Sequence, residues 1–135
     1  MAKVRVYSVD KKERNRIIRE LFTILADLKN KEEVFGFLLG LFSPSESLMV
    51  GRRIQVAKLL LQDYGYDHIE KKLKVSHQTI NKIEHWLGEN EERGRLILKN
   101  MEKEEKQKQR NENFKGEFSL LNKYAHHRFM KDLFK

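Results

Sequence analysis

YDHIEKKLKVSHQTINKIEHWL, residues 66–87, decides the reading of this chain. Ile69 and Leu73 give a first short helix an apolar face at four-residue spacing. Val75 lies in the turn, and Ile80 and Ile83 continue the same hydrophobic seam from a second helix. Ser76 stands where its hydroxyl can accept from a backbone N–H at the start of that second helix. The side chains left pointing outward are His77, Gln78, Thr79, Asn81 and Lys82. Such a set offers an amide for base edges, polar groups for phosphates and a positive charge. The segment therefore reads as a DNA-binding helix-turn-helix.

Upstream, Ser43-Pro44-Ser45-Glu46 is a helix start: Ser43 the N-cap, Pro44 the first helical residue and Glu46 the reciprocal capping partner. The helix it opens runs to about Gln62, and Asp63-Tyr64-Gly65 ends it. Before it, Lys31 to Phe42 reads as a helix that is apolar nearly all round. A helix of that kind in a small chain needs cover on more than one side, which suggests burial in a subunit interface. From Lys11 a further helix carries Ile17, Leu21, Ile24, Leu25 and Leu28 on one face, and Asn30 can cap the helix after it. Residues 1–10 read as a flexible arm, their alternating VRVYSV stretch leaving a short strand as the alternative.

Beyond Gly88 the character changes. Residues 89–135 read as a charged helical C-terminal extension, with EKEEKQKQRNEN as a solvated helix or linker. Phe118, Leu121, Ala125, Phe129 and Leu133 form one stripe near its end. A single proline and few glycines, with these periodicities, make the expected class all-α.

Composition narrows the function. The 135 residues allow one domain, with about two-thirds of the unfolded surface buried on folding. The net charge of +8 favours a polyanionic partner. The charge is spread along the chain (+3, +2 and +3 over residues 1–42, 43–88 and 89–135), so it does not single out the motif. No cysteine is present, which removes disulfides and thiolate metal sites and suits a cytoplasmic location. The N-terminus has no apolar run of the signal-peptide kind, and the longest apolar-rich stretch is about half the length of a bilayer span, so no membrane partner is expected. No two of His68, His77, His85, His126 and His127 have the i, i+4 spacing of a helical ligand pair, and no metal site is expected. Nor is there a phosphate-binding glycine loop or a nucleophile-and-base signature, so the chain does not read as an enzyme.

The order LFTILADLKNKEEVFGFLLGLFSPSES, GRRIQVAKLLL and GYDHIEKKLKVSHQTINKIEHWL, over about residues 13–88, resembles the tryptophan-repressor superfamily, and its Trp-repressor-related group more than Trp repressor itself. SHQTINKI, residues 76–83, is also similar to the recognition helix of the lac-repressor family, which supports the motif but not the overall fold. The resemblance implies a Trp-repressor-like helical bundle over residues 11–88 that forms an intertwined homodimer. It also implies recognition helices entering successive major grooves about 34 Å apart. A tryptophan pocket flanked by two arginines belongs to the same inheritance. Ser43 and Arg53 match that pocket, but its second arginine is Lys82 here, which lacks the planar guanidinium. The glycine after it is Ile83, whose side chain takes space the indole needs. No cofactor is expected, and free L-tryptophan is not expected as corepressor. Within the motif, Glu70 stands where a small residue is usual and Lys74 where a turn glycine is frequent.

The reading is thus a sequence-specific regulator, a repressor, that binds double-stranded DNA in the major groove as a homodimer. Gln78 is the base-reading candidate, since its amide can bond adenine N6 and N7 together. Thr79 suits a thymine methyl or a phosphate, and Ser76, Asn81 and Lys82 suit backbone anchoring. His77 suits a base, a phosphate or plain solvation. Arg52 and Arg53 either clamp a phosphate or pair with Glu46 or another acid. The rival reading is a helical protein-interaction module whose C-terminal extension docks a protein partner.

Overall fold

A computed structural model describes residues 3–110, which form six α-helices and, among the described residues, no strand. The all-α class is therefore as expected. The apolar stripe from Phe118 to Leu133 and the histidines at 126 and 127 lie outside the described residues. The chain divides into two compact units, Met1–Leu41 and Phe42–Lys135.

In the first unit, Val6–Ser8 is a single 3-10 turn. Arg14 ties it to the following helix, donating to the Val6 carbonyl at 3.0 Å and lying over the Tyr7 ring. Helix α1 spans Lys11–Asp27, opened by Asp10, whose carboxylate accepts from the Lys12 N–H. Arg16 bridges Glu13 and Glu20 along its exposed flank. Helix α2 spans Lys31–Leu38, with Asn30 accepting from the Glu33 N–H at 2.9 Å as its cap. It stops four residues short of the expected end at Phe42. Leu39 is already extended, and Gly40 turns at a φ of 83°, a conformation glycine adopts without a Cβ penalty. No residue of α1 or α2 is buried.

In the second unit, helix α3 spans Pro44–Leu61 and begins with the expected capping box. Ser43 Oγ accepts from the Glu46 N–H, and the Glu46 carboxylate accepts from the Ser43 N–H at 2.7 Å. These hydrogen bonds, the backbone one first, hold the Glu46 carboxyl below the usual glutamate range. Helices α4, Tyr66–Leu73, and α5, His77–Glu89, follow α3, and α6 spans Glu91–Arg110. Val56 and Leu59 of α3, Ile69 and Leu73 of α4 and Ile80 of α5 make one buried cluster. Leu60, Tyr66, Val75 and Ile83 pack around it, half-buried.

The helix α6 continues this unit. Arg93 donates to the Trp86 carbonyl at 2.7 Å and stacks over the Trp86 ring, so the α5–α6 corner is held by one side chain. Gly94 lies against Leu61, where an added Cβ would be 3.5 Å from the leucine methyl. Lys58 of α3 pairs with Glu104 of α6 at 3.5 Å. Among the described residues, no helix is long and apolar enough to cross a membrane.

Candidate nucleic-acid interface

Two short helices and the three residues between them position the polar face of interest. The first, α4, closes its last turn with the Lys74 N–H donating to the Glu70 carbonyl at 2.8 Å. Lys74 then takes a left-handed conformation, φ 53° and ψ 46°, which is strained for a side chain with a Cβ. That reversal is what lets the chain re-enter a helix only three residues later. Ser76 starts α5: its hydroxyl accepts from the Thr79 N–H at 3.2 Å, and its carbonyl from the Ile80 N–H. The Tyr66 hydroxyl also donates to the Glu84 carboxylate, joining the start of α4 to the middle of α5.

The seam beneath α5 is apolar. Ile69 and Ile80 are fully buried and Leu73 is 7% exposed, with Val75 and Ile83 beside them. At about 100° per residue, Ile80, Ile83 and Leu87 fall on one side of α5. His77, Asn81, His85, Gln78 and Lys82 spread over about 140° on the other. All five are exposed. A helix held down by a greasy stripe thus presents amides, a lysine and imidazoles along one flank, with the exposed carboxylate of Glu89 in the same arc.

Each sequence-derived candidate has a definite place. His77, Gln78, Asn81 and Lys82 share that flank, and Ser76 sits at its head. Thr79 differs from the outward orientation expected for it. It lies at the edge of the seam, half-buried, with its hydroxyl 3.1 Å from Ser76 Oγ. Arg52 and Arg53 are exposed on α3. Arg52 bonds the Gln55 amide oxygen at 2.8 Å, and Glu46 is engaged in its capping box.

Two features were not read from the sequence. His85 joins the polar flank, two helical turns beyond His77, where helical arithmetic alone could have placed it. It lies 3.3 Å from Glu89. The second feature is the crowding of acids around His77: its Nε2 is 2.6 Å from Glu70 Oε2 and 3.4 Å from Asp67 Oδ1. The Tyr66 ring meets the His77 ring edge-on at 5.7 Å between centroids. This grouping spans two helices and a turn, so no linear spacing rule points to it.

Ile83 occupies the position where the resemblance implies a glycine. It is half-buried and packs on the core cluster.

A family model described as Trp repressor protein matches residues 16–107. The match covers more than half of the chain and runs past Gly88, through most of α6. No curated protein and no solved structure matches the chain. The chain belongs to the Trp repressor family.

Proposed function

We propose that this Trp repressor family member is a sequence-specific DNA-binding regulator that represses by occupying duplex DNA as a homodimer, with α4 and α5 acting as a helix-turn-helix. The observation that carries the reading is the two-sided character of α5. Its buried stripe fixes its orientation, and its opposite flank leaves His77, Gln78, Asn81 and Lys82 exposed behind a Ser76 cap. Family membership supports a helical DNA-binding regulator in general terms.

The roles follow from side-chain chemistry. Gln78 can pair with adenine N6 and N7 in the major groove. Lys82 and Asn81 suit phosphate oxygens and fix register, as does the Ser76 hydroxyl where its capping role leaves a lone pair. Thr79, withdrawn to the seam, is assigned to a methyl contact at the flank rather than to a phosphate. Arg52 and Arg53 on α3 are assigned to backbone phosphates and to the long-range field.

The proposal of two copies also has a support independent of DNA. Ile17, Ile18, Phe22 and Ile24 of α1 are all exposed, as are Leu48, Met49, Val50 and Ile54 of α3 and Leu96 and Leu98 of α6. Large apolar surface of that kind, on each unit taken by itself, marks a surface for interaction. A second copy is the cover proposed, and two-fold symmetry would pair two copies of α5 for two half-sites.

Tryptophan is not proposed as effector. A ligand needing the space at Ile83 would have to lift a side chain off the core, and Lys82 lacks a stacking plane. Calorimetry is expected to show no saturable tryptophan binding in the micromolar range.

Selection of bound sequences from a random duplex pool tests the function. Enrichment of a two-fold-symmetric site is expected. A pool that stays random while the protein remains folded and dimeric would remove the regulator reading.

A further inference from the structure

One group of side chains at the α4–α5 junction suits a ligand other than DNA. Asp67 and Glu70 are three residues apart on α4, so they share a face. The left-handed turn at Lys74 brings His77, the first residue of α5, back over that face. One donor atom from each of the three side chains lies within 4.8 Å of the other two. The Tyr66 ring flanks the imidazole and limits its swing. We propose that Asp67, Glu70 and His77 bind a divalent transition-metal ion, Zn²⁺ or a neighbour of it in ligand preference.

The donor set chooses the class of ion. An imidazole nitrogen with two carboxylates suits zinc, manganese, iron, cobalt or nickel, whereas magnesium and calcium prefer oxygen alone and copper(I) prefers sulfur. Metal–ligand bonds of about 2.0–2.2 Å place atoms on one ion about 3 Å apart in octahedral geometry and about 3.4 Å apart in the tetrahedral geometry of zinc. The 3.4 Å separation from Asp67 already matches the tetrahedral spacing, and the 2.6 Å contact with Glu70 would open by several tenths of an ångström, which exposed side chains permit. The positive end of the α5 dipole opposes a cation there. It amounts to about half a charge, against two full carboxylate charges. Because all three side chains are exposed, water completes the coordination and little desolvation opposes binding.

The consequence rests on the function proposed above. A metal on His77 Nε2 leaves the ring proton on Nδ1, so the imidazole's free edge becomes a hydrogen-bond donor and is held in place. An ion here therefore acts on a residue of the DNA-facing flank.

The test uses the full chain without DNA. Zn²⁺ is titrated while the five histidine side chains are followed by ¹⁵N–¹H spectra, alongside calorimetry. Metallation at His77 Nε2 is expected, with binding abolished in His77→Ala. Glu70→Gln is expected to weaken it about tenfold or more, since even outer-shell changes cost that much. Circular dichroism confirms that both surface variants stay folded. Shifts confined to the other histidines, or binding unchanged in both variants, would overturn the proposal. Zinc seated at His77 in a protein that selects no duplex sequence would leave the metal site standing and remove only its regulatory consequence.

Discussion

The two units are built from similarly apolar helices, yet only one buries its own side chains. In residues 44–89, three helices close around Val56, Leu59, Ile69, Leu73 and Ile80. In residues 11–38, Ile17, Phe22 and Ile24 stay open to solvent, and no position of either helix is buried. The difference lies in connectivity. A three-residue turn and a cap at Ser76 bring α4 and α5 onto α3 within one chain. Helices α1 and α2 are well capped at Asp10 and Asn30, but capping fixes where a helix begins and gives it nothing to pack on. The second unit thus has a core of its own, although Leu48, Met49, Val50 and Ile54 of α3 stay exposed on it, whereas the N-terminal unit buries no residue of either helix.

Substitutions should separate these two regimes. The largest effect is expected at Ile69→Ala, which empties the centre of the self-contained core. It should cost about 2–5 kcal/mol in urea unfolding, and a loss under about 1 kcal/mol would mean that the core is not organised as described. Phe22→Asp probes the other regime. It should leave the α4–α5 unit folded but shift self-association by about tenfold or more, equivalent to about 1.4 kcal/mol, in analytical ultracentrifugation. If the wild-type protein is a monomer at all concentrations, the contrast between the units has another origin.

Smaller effects sharpen the account of the turn and the caps. Lys74→Gly removes the Cβ from a left-handed residue, a relief partly offset by the greater freedom of glycine when unfolded. Stability should rise by about 0.5–1 kcal/mol, and a decrease would show that the lysine side chain has a favourable contact to lose. Smallest is the acid response of the α3 cap. Because the folded Glu46 carboxyl lies below its unfolded value, its contribution is present above the ordinary glutamate range and is lost as pH falls through the folded value. Glu46→Gln should therefore flatten the acid limb of the stability–pH curve slightly, without altering it near neutrality.

Much of this was legible in the chain because it depends on local chemistry. Ser43-Pro44-Ser45-Glu46 specifies a helix start by hydrogen bonding within four residues, and Ser76 does the same. The seam of Ile69, Leu73, Ile80 and Ile83 follows from spacing alone. The end of α2 was less legible, because Leu39-Gly40-Leu41-Phe42 stays apolar while its backbone leaves the helix at Leu39 and turns at Gly40. Periodicity reports hydrophobic faces and does not register one glycine's φ. The withdrawal of Thr79 follows its helical position beside Ile80 and Ile83, and the convergence of Asp67, Glu70 and His77 turns on the left-handed lysine between them. The second has no linear signature, whereas the i, i+4 spacing of Thr79 and Ile83 does place Thr79 at the edge of the seam. The family match through residue 107 also extends past Gly88, where rising charge had suggested a change of character.

The central claim is that the exposed flank of α5 reads duplex DNA. It is tested most directly by comparing Gln78→Ala and Lys82→Ala on the selected site and its single-base variants over a range of salt. The account predicts that Gln78→Ala loses about 1–3 kcal/mol of discrimination at one base pair, and that Lys82→Ala weakens all sequences alike and lowers the salt slope by about one. Two variants that bind every sequence as the wild type does would contradict it.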